Sequence, residues 1–195
     1  AETLDERAHA LRHGYDAAPP LAVAGTTHIS VIDADGNAAA LSSTLGSGSG
    51  VFRGGTQLNN MLGELDVIGQ APHVPGERLA SMMTPTLVLE NGRPRLALGS
   101  AGSVRLAGAI AQVADTVLRG TPVEEAIDRA RIHVEGDVLH LEGGVTETAP
   151  DGWETVRWAG RNLYFGGVAA VERKADGSLA AAGDPRRGGH GIVVG

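Results

Sequence analysis

Two stretches near the start of the chain predict paired β-strands. In the stretch 26–32, Thr27, Ile29 and Val31 alternate with His28, Ser30 and Ile32, a period of two that is typical of a β-strand. Residues 35–37 (Asp-Gly-Asn) supply turn-forming side chains, and the stretch 38–44 returns as a second strand. The pattern therefore predicts a β-hairpin over 26–44.

The middle of the chain predicts a strand pair followed by a long helix. The strands cover 85–89 and 95–99, with a turn at 90–93 between them. The helix begins at Gly102-Ser103 and ends at Arg119-Gly120, because a glycine is a common helix stop. Its apolar face has helical spacing. The residues of that face are Leu106, Ile110, Val113, Val117 and Leu118.

A second helix is predicted directly after the first. Thr121 has a good N-cap side chain, Pro122 suits the first helical position, and Glu124 completes a capping box. We expect this helix to run to about Arg131.

Shorter signals predict the remaining elements. Strands are expected at 132–134 and 138–141, a strand pair at about 168–172 and 179–182, and a short amphipathic helix over 4–13. An aromatic cluster is expected from Trp153, Trp158, Tyr164 and Phe165. Because strands and helices come in pairs, the sequence favours an α+β domain with antiparallel sheets over a parallel βαβ arrangement.

Composition and charge narrow the class of protein. The 195 residues suffice for one domain, 42% of them are apolar, and no stretch reaches eighteen uninterrupted apolar residues, so no membrane-spanning segment is predicted. The net charge of −7 gives no basic patch, so nucleic acid is not an expected partner. The chain has no cysteine, which excludes disulfides and a thiolate nucleophile.

The 29 glycines are numerous for this length and mark places where the backbone turns tightly. One glycine-rich segment covers 46–50 and continues at 54–55, and we interpret it as a loop over a site. The chain starts at Ala1 without an initiator methionine or a signal-peptide pattern, so we expect a piece of a longer protein or a processed product.

The segment Thr26-Thr27-His28 follows a small linker and opens a strand. If the bond before Thr26 is cut, its new α-amine can serve as the base for its own hydroxyl. Such an amine has a pKa of roughly 7.7–8.0, which suits proton transfer near neutral pH. The alternative interpretation is an ordinary β-branched strand start.

A second candidate is the strand-to-helix junction at 99–103 (Gly-Ser-Ala-Gly-Ser). Unpaired amides at a helix N-terminus favour negative charge and would suit an oxyanion hole, although a tight turn capped by Ser103 explains the same residues. The seven histidines show no paired metal spacing, so neither a metal nor another cofactor is expected. Glu64 and Asp66 either lie on a solvent-exposed face of a loop or bind an ammonium group.

Six motifs in their order resemble the small subunit of γ-glutamyltranspeptidases. They are Thr26-Thr27-His28-Ile29-Ser30-Val31, Asp35-Gly36-Asn37, Leu58-Asn59-Asn60-Met61, Pro75-Gly76-Glu77-Arg78, Ser81-Met82-Met83-Thr84-Pro85-Thr86 and Gly99-Ser100-Ala101-Gly102-Ser103. The likeness extends to the end of the chain, where Tyr164-Phe165-Gly166-Gly167-Val168 and Asp184-Pro185-Arg186-Arg187 are similar to the closing motifs of the family. Residues 1–25 resemble the tail of the large subunit, and 26–195 resemble the catalytic domain.

The resemblance implies an αββα sandwich of the N-terminal-nucleophile hydrolase type, of which this chain supplies roughly the small-subunit half. It implies a precursor that cuts itself between Gly25 and Thr26. Thr26 would then attack the γ-amide of glutathione or a relative, and the γ-glutamyl ester would pass to water or to an acceptor amine.

The resemblance also assigns roles to individual residues. Thr44 matches the residue that hydrogen-bonds the nucleophile, and Gly102 and Ser103 match the backbone pair of the oxyanion hole. Ser81 matches a serine that holds the substrate α-carboxylate, and Glu64 takes the place of the aspartate that grips its α-amine.

Three positions depart from the family pattern. Gly46 stands where the family has a substrate-contacting asparagine, Met82 replaces the second serine of a pair, and Ser103 replaces a glycine whose backbone donor is retained. Each lost polar contact is worth about 1 kcal/mol as a neutral hydrogen bond. A glutaryl group, as taken by related cephalosporin acylases, or poly-γ-glutamate is therefore an alternative substrate.

The resemblance implies one partner besides the small-molecule substrate. In the family, the arginine that clamps the α-carboxylate and half of the sandwich belong to the large subunit, so we expect that this chain alone cannot turn over substrate.

A different class of function also stays open. With residues 1–25 attached, Thr26 has no free α-amine, and an uncut chain would be an inactive binding module.

Overall fold

The computed structural model describes residues 25–46, 48–63, 74–78 and 81–195. The predicted helix over 4–13 and the two carboxylates Glu64 and Asp66 lie outside the described residues. Within the described ranges the fold is α+β, with two α-helices and eleven strands.

The element bounds follow the chain in order. The first strands are β1 (Thr26–Ile32), β2 (Ala38–Thr44), β3 (Phe52–Arg53), β4 (Thr56–Gln57), β5 (Thr86–Glu90) and β6 (Arg93–Ala101). After a 3-10 turn (Ser103–Arg105) come α1 (Leu106–Leu118), α2 (Val123–Asp128), β7 (Ile132–Glu135), β8 (Val138–Leu141) and β9 (Glu154–Arg157). The chain then forms β10 (Gly167–Arg173) and β11 (Leu179–Gly183).

The centre of the fold is a four-stranded antiparallel sheet in the order β11-β10-β6-β5. The helices α1 and α2 pack on one face of this sheet, and the β1–β2 hairpin packs on the other. The core lies between the sheet and the helices. Its members include Leu96, Leu98, Ile110, Val113, Val117, Ile127 and Val168. The described residues thus form three layers, helix, sheet and sheet.

The β1–β2 hairpin is confirmed, but its two faces are the reverse of a usual sandwich strand. Thr26, His28 and Ser30 point toward the central sheet and are half-buried, whereas Ile29 and Leu41 on the outer face are 55% and 61% exposed. Burial of apolar area is the main favourable term of folding, so an apolar face left open is a candidate contact surface.

The predicted second helix is correct in place but wrong in its cap and its end. The residue at the N-cap position is Pro122 rather than Thr121, and no side chain caps the helix. The first amide, from Val123, instead donates to Glu172 Oε2 at 3.1 Å. The helix ends at Asp128 instead of Arg131, because Arg129 already has extended backbone angles.

Other predictions need smaller corrections. The long helix starts at Leu106, after one 3-10 turn, instead of at Gly102-Ser103. The second part of the glycine-rich segment, residues 54–55, was predicted as a loop and is the turn of the small β3–β4 hairpin. The strand β9, which pairs in parallel with β8, was not predicted. In the aromatic cluster Trp158, Tyr164 and Phe165 contact one another, while Trp153 is 42% exposed.

A buried ion network holds the end of the chain against the middle. Arg131 Nη2 lies 2.5 Å from Asp184 Oδ2, and Arg186 Nη2 lies 2.6 Å from Glu142 Oε2. A third contact of 3.1 Å joins Arg186 to Asp184, and every side chain of the network is at most 2% exposed. Breaking a buried ion pair leaves an uncompensated charge, so these four side chains depend on one another.

Candidate active site

The hydroxyl groups of Thr26 and Thr44 meet at the open end of the β1–β2 hairpin. The two residues are cross-strand partners, and Thr26 Oγ1 donates to Thr44 Oγ1 at 3.0 Å. The Gly46 amide donates to the same Thr44 oxygen at 3.1 Å. Both threonines are half-buried. The antiparallel register thus holds the Thr26 hydroxyl in one orientation.

The peptide bond before Thr26 is held by the same strand. The Gly25 carbonyl oxygen accepts a hydrogen bond from the Leu45 amide at 2.9 Å. Gly25 also packs directly against the Gly46 carbonyl oxygen. The hydroxyl of Thr26 and the carbonyl of Gly25 therefore lie in neighbouring residues that are both fixed by the segment 44–46.

The candidate oxyanion pair lies where β6 leaves the central sheet. Gly102 is buried, has φ +143° and packs against Gly166, and Ser103 has φ +57°. The Ser103 side chain caps no helix, so the capping role that explained it as an ordinary turn is wrong. Amides in the first turn have no acceptor within their helix. Among the described residues, no hydrogen bond joins Gly102 or Ser103 to either threonine.

The predicted substrate-binding residues are only partly brought together. Gly46 lies at the two threonines with φ +62°. Ser81 is exposed and its hydroxyl accepts from the Met83 amide at 3.3 Å, while Met82 is half-buried. Within the described ranges no hydrogen bond connects Ser81 or Met82 with Thr26. Glu64 lies outside the described residues.

The sequence interpretation missed His28 as part of this region. Its ring nitrogens lie 2.8 Å from Ser42 Oγ and 2.8 Å from Ser30 Oγ, and the ring packs directly on Gly99 of β6. Burial lowers the pKa of His28 below its ordinary value, because desolvation disfavours the charged ring. The available signal was the run of inward polar positions at Thr26, His28 and Ser30, which an ordinary buried strand would fill with apolar side chains.

The described ranges contain no group of three or more His, Asp or Glu side chains that could hold a metal ion. Among the same residues, none of the helices has the length and apolar character needed to span a membrane.

Comparison with known proteins identifies the family. The family model for gamma-glutamyltranspeptidase matches residues 2–194. The chain belongs to the gamma-glutamyltranspeptidase family. It is 32% identical to the glutathione hydrolase proenzyme of Escherichia coli over 83% of this chain and 31% of that protein. It is also 30% identical to the Acylase ACY 1 proenzyme of Pseudomonas sp. strain SE83, over 88% of this chain and 32% of that protein.

A solved member of the gamma-glutamyltranspeptidase family supports the fold. The structure of gamma-glutamyltranspeptidase from Pseudomonas nitroreducens in complex with L-DON aligns with a TM-score of 0.71 and 30% identity, over 87% of this chain and 100% of that chain. The predicted α+β fold of the N-terminal-nucleophile hydrolase type is confirmed. The chain spans about a third of the length of the two proenzymes to which it is similar.

Proposed function

We propose that this chain is the nucleophile-bearing part of an amidase that cleaves γ-glutamyl amides through an ester on Thr26. The observation that carries the proposal is the 3.0 Å hydrogen bond between the Thr26 and Thr44 hydroxyls, directly after Gly25. A hydroxyl needs an adjacent acceptor and a fixed direction to act as a nucleophile. Residues 26–195 are then the catalytic domain, and 1–25 are the tail of the large subunit.

The first step is self-cleavage of the Gly25–Thr26 bond. Thr26 Oγ1 attacks the Gly25 carbonyl carbon, the hydroxyl proton moves to the Thr26 nitrogen, and the C–N bond breaks to leave an ester. Water then hydrolyses the ester to a Gly25 carboxylate and a free Thr26 hydroxyl. The new α-amine of Thr26 becomes the base of the mature site, because its pKa of roughly 7.7–8.0 suits proton transfer near neutral pH.

In turnover the α-amine takes the proton from Thr26 Oγ1 as this oxygen attacks the substrate amide carbon. The proton passes to the leaving amine, and the acyl group stays on Thr26 as an ester until water or an acceptor amine removes it. The Gly102 and Ser103 amides are our candidates for the oxyanion hole, since helix N-terminal donors stabilise developing negative charge. The positive φ of Gly102 and its packing on Gly166 support a fixed donor at this point.

The substrate class rests on the family and on the residues proposed to hold the glutamyl end. Ser81 would bind the α-carboxylate and Glu64 the α-amine of a γ-glutamyl group. A glutaryl amide is the second candidate, because Gly46 and Met82 lack the polar side chains of the family pattern. The similarity to an acylase proenzyme favours the same alternative. Poly-γ-glutamate is a third substrate for testing.

The large subunit is the proposed partner of the open face of the β1–β2 hairpin. Ile29, Val31 and Leu41 are 55%, 49% and 61% exposed on that face. The described layers lack an outer layer over the hairpin, and an αββα sandwich requires one. Covering this face would stabilise the complex by roughly 25 cal/mol for each Å² of apolar area removed from water.

The test uses the chain expressed with its upstream region, beside a Thr26→Ala variant. Release of the amine from a γ-glutamyl anilide and from a glutaryl anilide is followed for both proteins. The proposal expects hydrolysis of at least one anilide by the wild type and none by the variant. A folded, cleaved wild type that is inert on both, and on poly-γ-glutamate, would favour the binding-module alternative.

A further inference from the structure

The hydrogen bond between the Leu45 amide and the Gly25 carbonyl falls on the peptide bond that self-cleavage must break. The N···O distance is 2.9 Å. The next pair toward the turn is Thr26 with Thr44, so the bond continues the β1–β2 ladder by one residue. In the uncut chain, the carbonyl oxygen of the scissile bond therefore already has a fixed donor.

We propose that the Leu45 amide is the oxyanion donor of the self-cleavage step. The inference rests on the proposed function, because it assumes that Thr26 attacks Gly25. As the Thr26 oxygen adds to the Gly25 carbonyl carbon, negative charge develops on the Gly25 oxygen. A preorganised amide that points at this oxygen stabilises the charge more than it stabilises the planar carbonyl.

The peptide group that follows this donor, between Leu45 and Gly46, is held by hydrogen bonds at both of its ends. The Leu45 carbonyl accepts from the amides of Gly48 at 3.0 Å and Asn60 at 3.1 Å. The Gly46 amide donates to Thr44 Oγ1 at 3.1 Å. Because the peptide group between Leu45 and Gly46 is bonded through both its carbonyl and its amide, the Leu45 amide cannot turn away without breaking other hydrogen bonds.

The same geometry explains why residue 25 is a glycine. A Cβ on Gly25 would overlap the Gly46 carbonyl oxygen. Since the 44–46 segment is fixed, an added methyl group must push the Gly25 carbonyl away from the Leu45 amide. A side chain at residue 25 therefore weakens the donor and shifts the carbon that Thr26 attacks.

The step balances within the chain. The C–O bond from Thr26 Oγ1 to the Gly25 carbon forms, and the Gly25 oxygen carries the negative charge while the Leu45 amide donates to it. The carbonyl reforms as the bond to the Thr26 nitrogen breaks, and that nitrogen leaves with the former hydroxyl proton. After hydrolysis of the ester Gly25 departs as a chain end, so this role of Leu45 ends with processing.

The first experiment measures self-cleavage of the chain with its upstream region by intact mass over time. Gly25→Ala is compared with Gly160→Ala, a matched substitution whose new Cβ meets no atom within 4 Å. We expect Gly25→Ala to cleave at least roughly tenfold more slowly and Gly160→Ala to match the wild type. If Gly25→Ala cleaves at the wild-type rate, the inference is wrong while the proposed function stands; if the folded wild type does not cleave, the proposed function itself fails.

A second measurement removes the donor without adding a side chain. Replacement of Leu45 by its α-hydroxy acid changes the amide to an ester, and the same replacement at Leu58 is the control because it removes a 2.8 Å bond to Val51. We expect cleavage to slow about 100-fold at position 45, as for loss of one oxyanion donor, and little at position 58. Equal cleavage rates in the two proteins would overturn the assignment even if Gly25→Ala misfolds.

A third readout separates processing from turnover. A two-part protein is made in which the second part starts at Thr26 and the first part ends at residue 25, with and without the Gly25→Ala substitution. Hydrolysis of a γ-glutamyl or glutaryl anilide should be equal in the two versions. A loss of anilide hydrolysis as large as the loss of cleavage would contradict a role confined to processing.

Discussion

The Thr26 hydroxyl donates its hydrogen bond to the Thr44 hydroxyl across the last rung of the β1–β2 hairpin, at 3.0 Å. This contact orients the proposed nucleophile, so its loss should slow both self-cleavage and turnover. Thr44→Val keeps the shape and removes the acceptor. Since leaving a half-buried hydroxyl without its partner costs about 1–2 kcal/mol, we expect each rate to fall roughly 5- to 30-fold.

Thr44→Ser is the matched control, because serine restores the acceptor oxygen. The rates are measured as the appearance of the fragment that begins at Thr26 and as anilide hydrolysis by the cleaved protein. Equal rates for Thr44→Val and the wild type would show that the contact only joins two strands.

The buried network predicts a large loss of stability from one carboxylate. Asp184 accepts from Arg131 at 2.5 Å and from the Val168 amide at 3.1 Å, and it also bonds Arg186. Asp184→Asn should therefore lower the free energy of unfolding by about 3–5 kcal/mol, as expected for a broken buried pair. The measurement is urea unfolding in a Thr26→Ala background, which keeps all samples uncut.

Asp115→Asn serves as the comparison for this loss. Asp115 also bonds an arginine, Arg119, at 2.8 Å, but both side chains are more than half exposed. Exposed ion pairs are typically worth under about 1 kcal/mol. A similar small effect for Asp184→Asn would mean that the network does not hold the end of the chain.

His28 predicts a pH dependence of stability. Its folded pKa is lowered by burial, so the unfolded chain binds more protons than the folded chain once the pH falls toward 6.5. The contribution of neutral His28 to the free energy of unfolding is fully present above its unfolded pKa, and it decreases as the pH falls through 6.5 toward the folded pKa. Unfolding free energies at about pH 7.5 and 5.5 should differ more for the Thr26→Ala protein than for the same protein with His28→Gln. Equal differences would contradict the assignment.

The open apolar face of the hairpin predicts the effect of a charge on assembly. Leu41→Glu should abolish co-elution of the cleaved chain with the proposed large subunit, because a carboxylate would be buried there without a partner. Leu118→Glu is the control, since Leu118 is 52% exposed on α1, on the other side of the central sheet. Co-elution of Leu41→Glu with the large subunit would place the partner elsewhere.

The parts of the fold that depend on neighbouring residues could be predicted from the sequence. The β1–β2 hairpin follows from alternation and the turn at 35–37, and α1 follows from its apolar face. The cap of α2 could not be predicted, because Glu172 lies 49 residues away from Val123. The parallel strand β9 was not predicted for a similar reason, since its partner β8 is not joined to it by a short turn.

The residues of the candidate site also divide into those that local sequence predicts and those that tertiary contacts place. The positions of Thr26 and Thr44 follow from hairpin register, which is local. The packing of His28 on Gly99 and the partners of Asp184 depend on tertiary contacts, although the closing motif that contains Asp184 was visible in the sequence. Residue type alone gave no sign that the apolar side of the hairpin faces outward.

The central claim is that Thr26 becomes the N-terminal nucleophile by cutting the bond that precedes it. The most direct test is the intact mass, with N-terminal sequencing, of the chain expressed with its upstream region, beside a Thr26→Ala control. The account predicts two fragments in the wild type, the smaller beginning at Thr26, and one uncut chain in the control. A folded wild type that stays whole, or a control that is cut at the same bond, would contradict it.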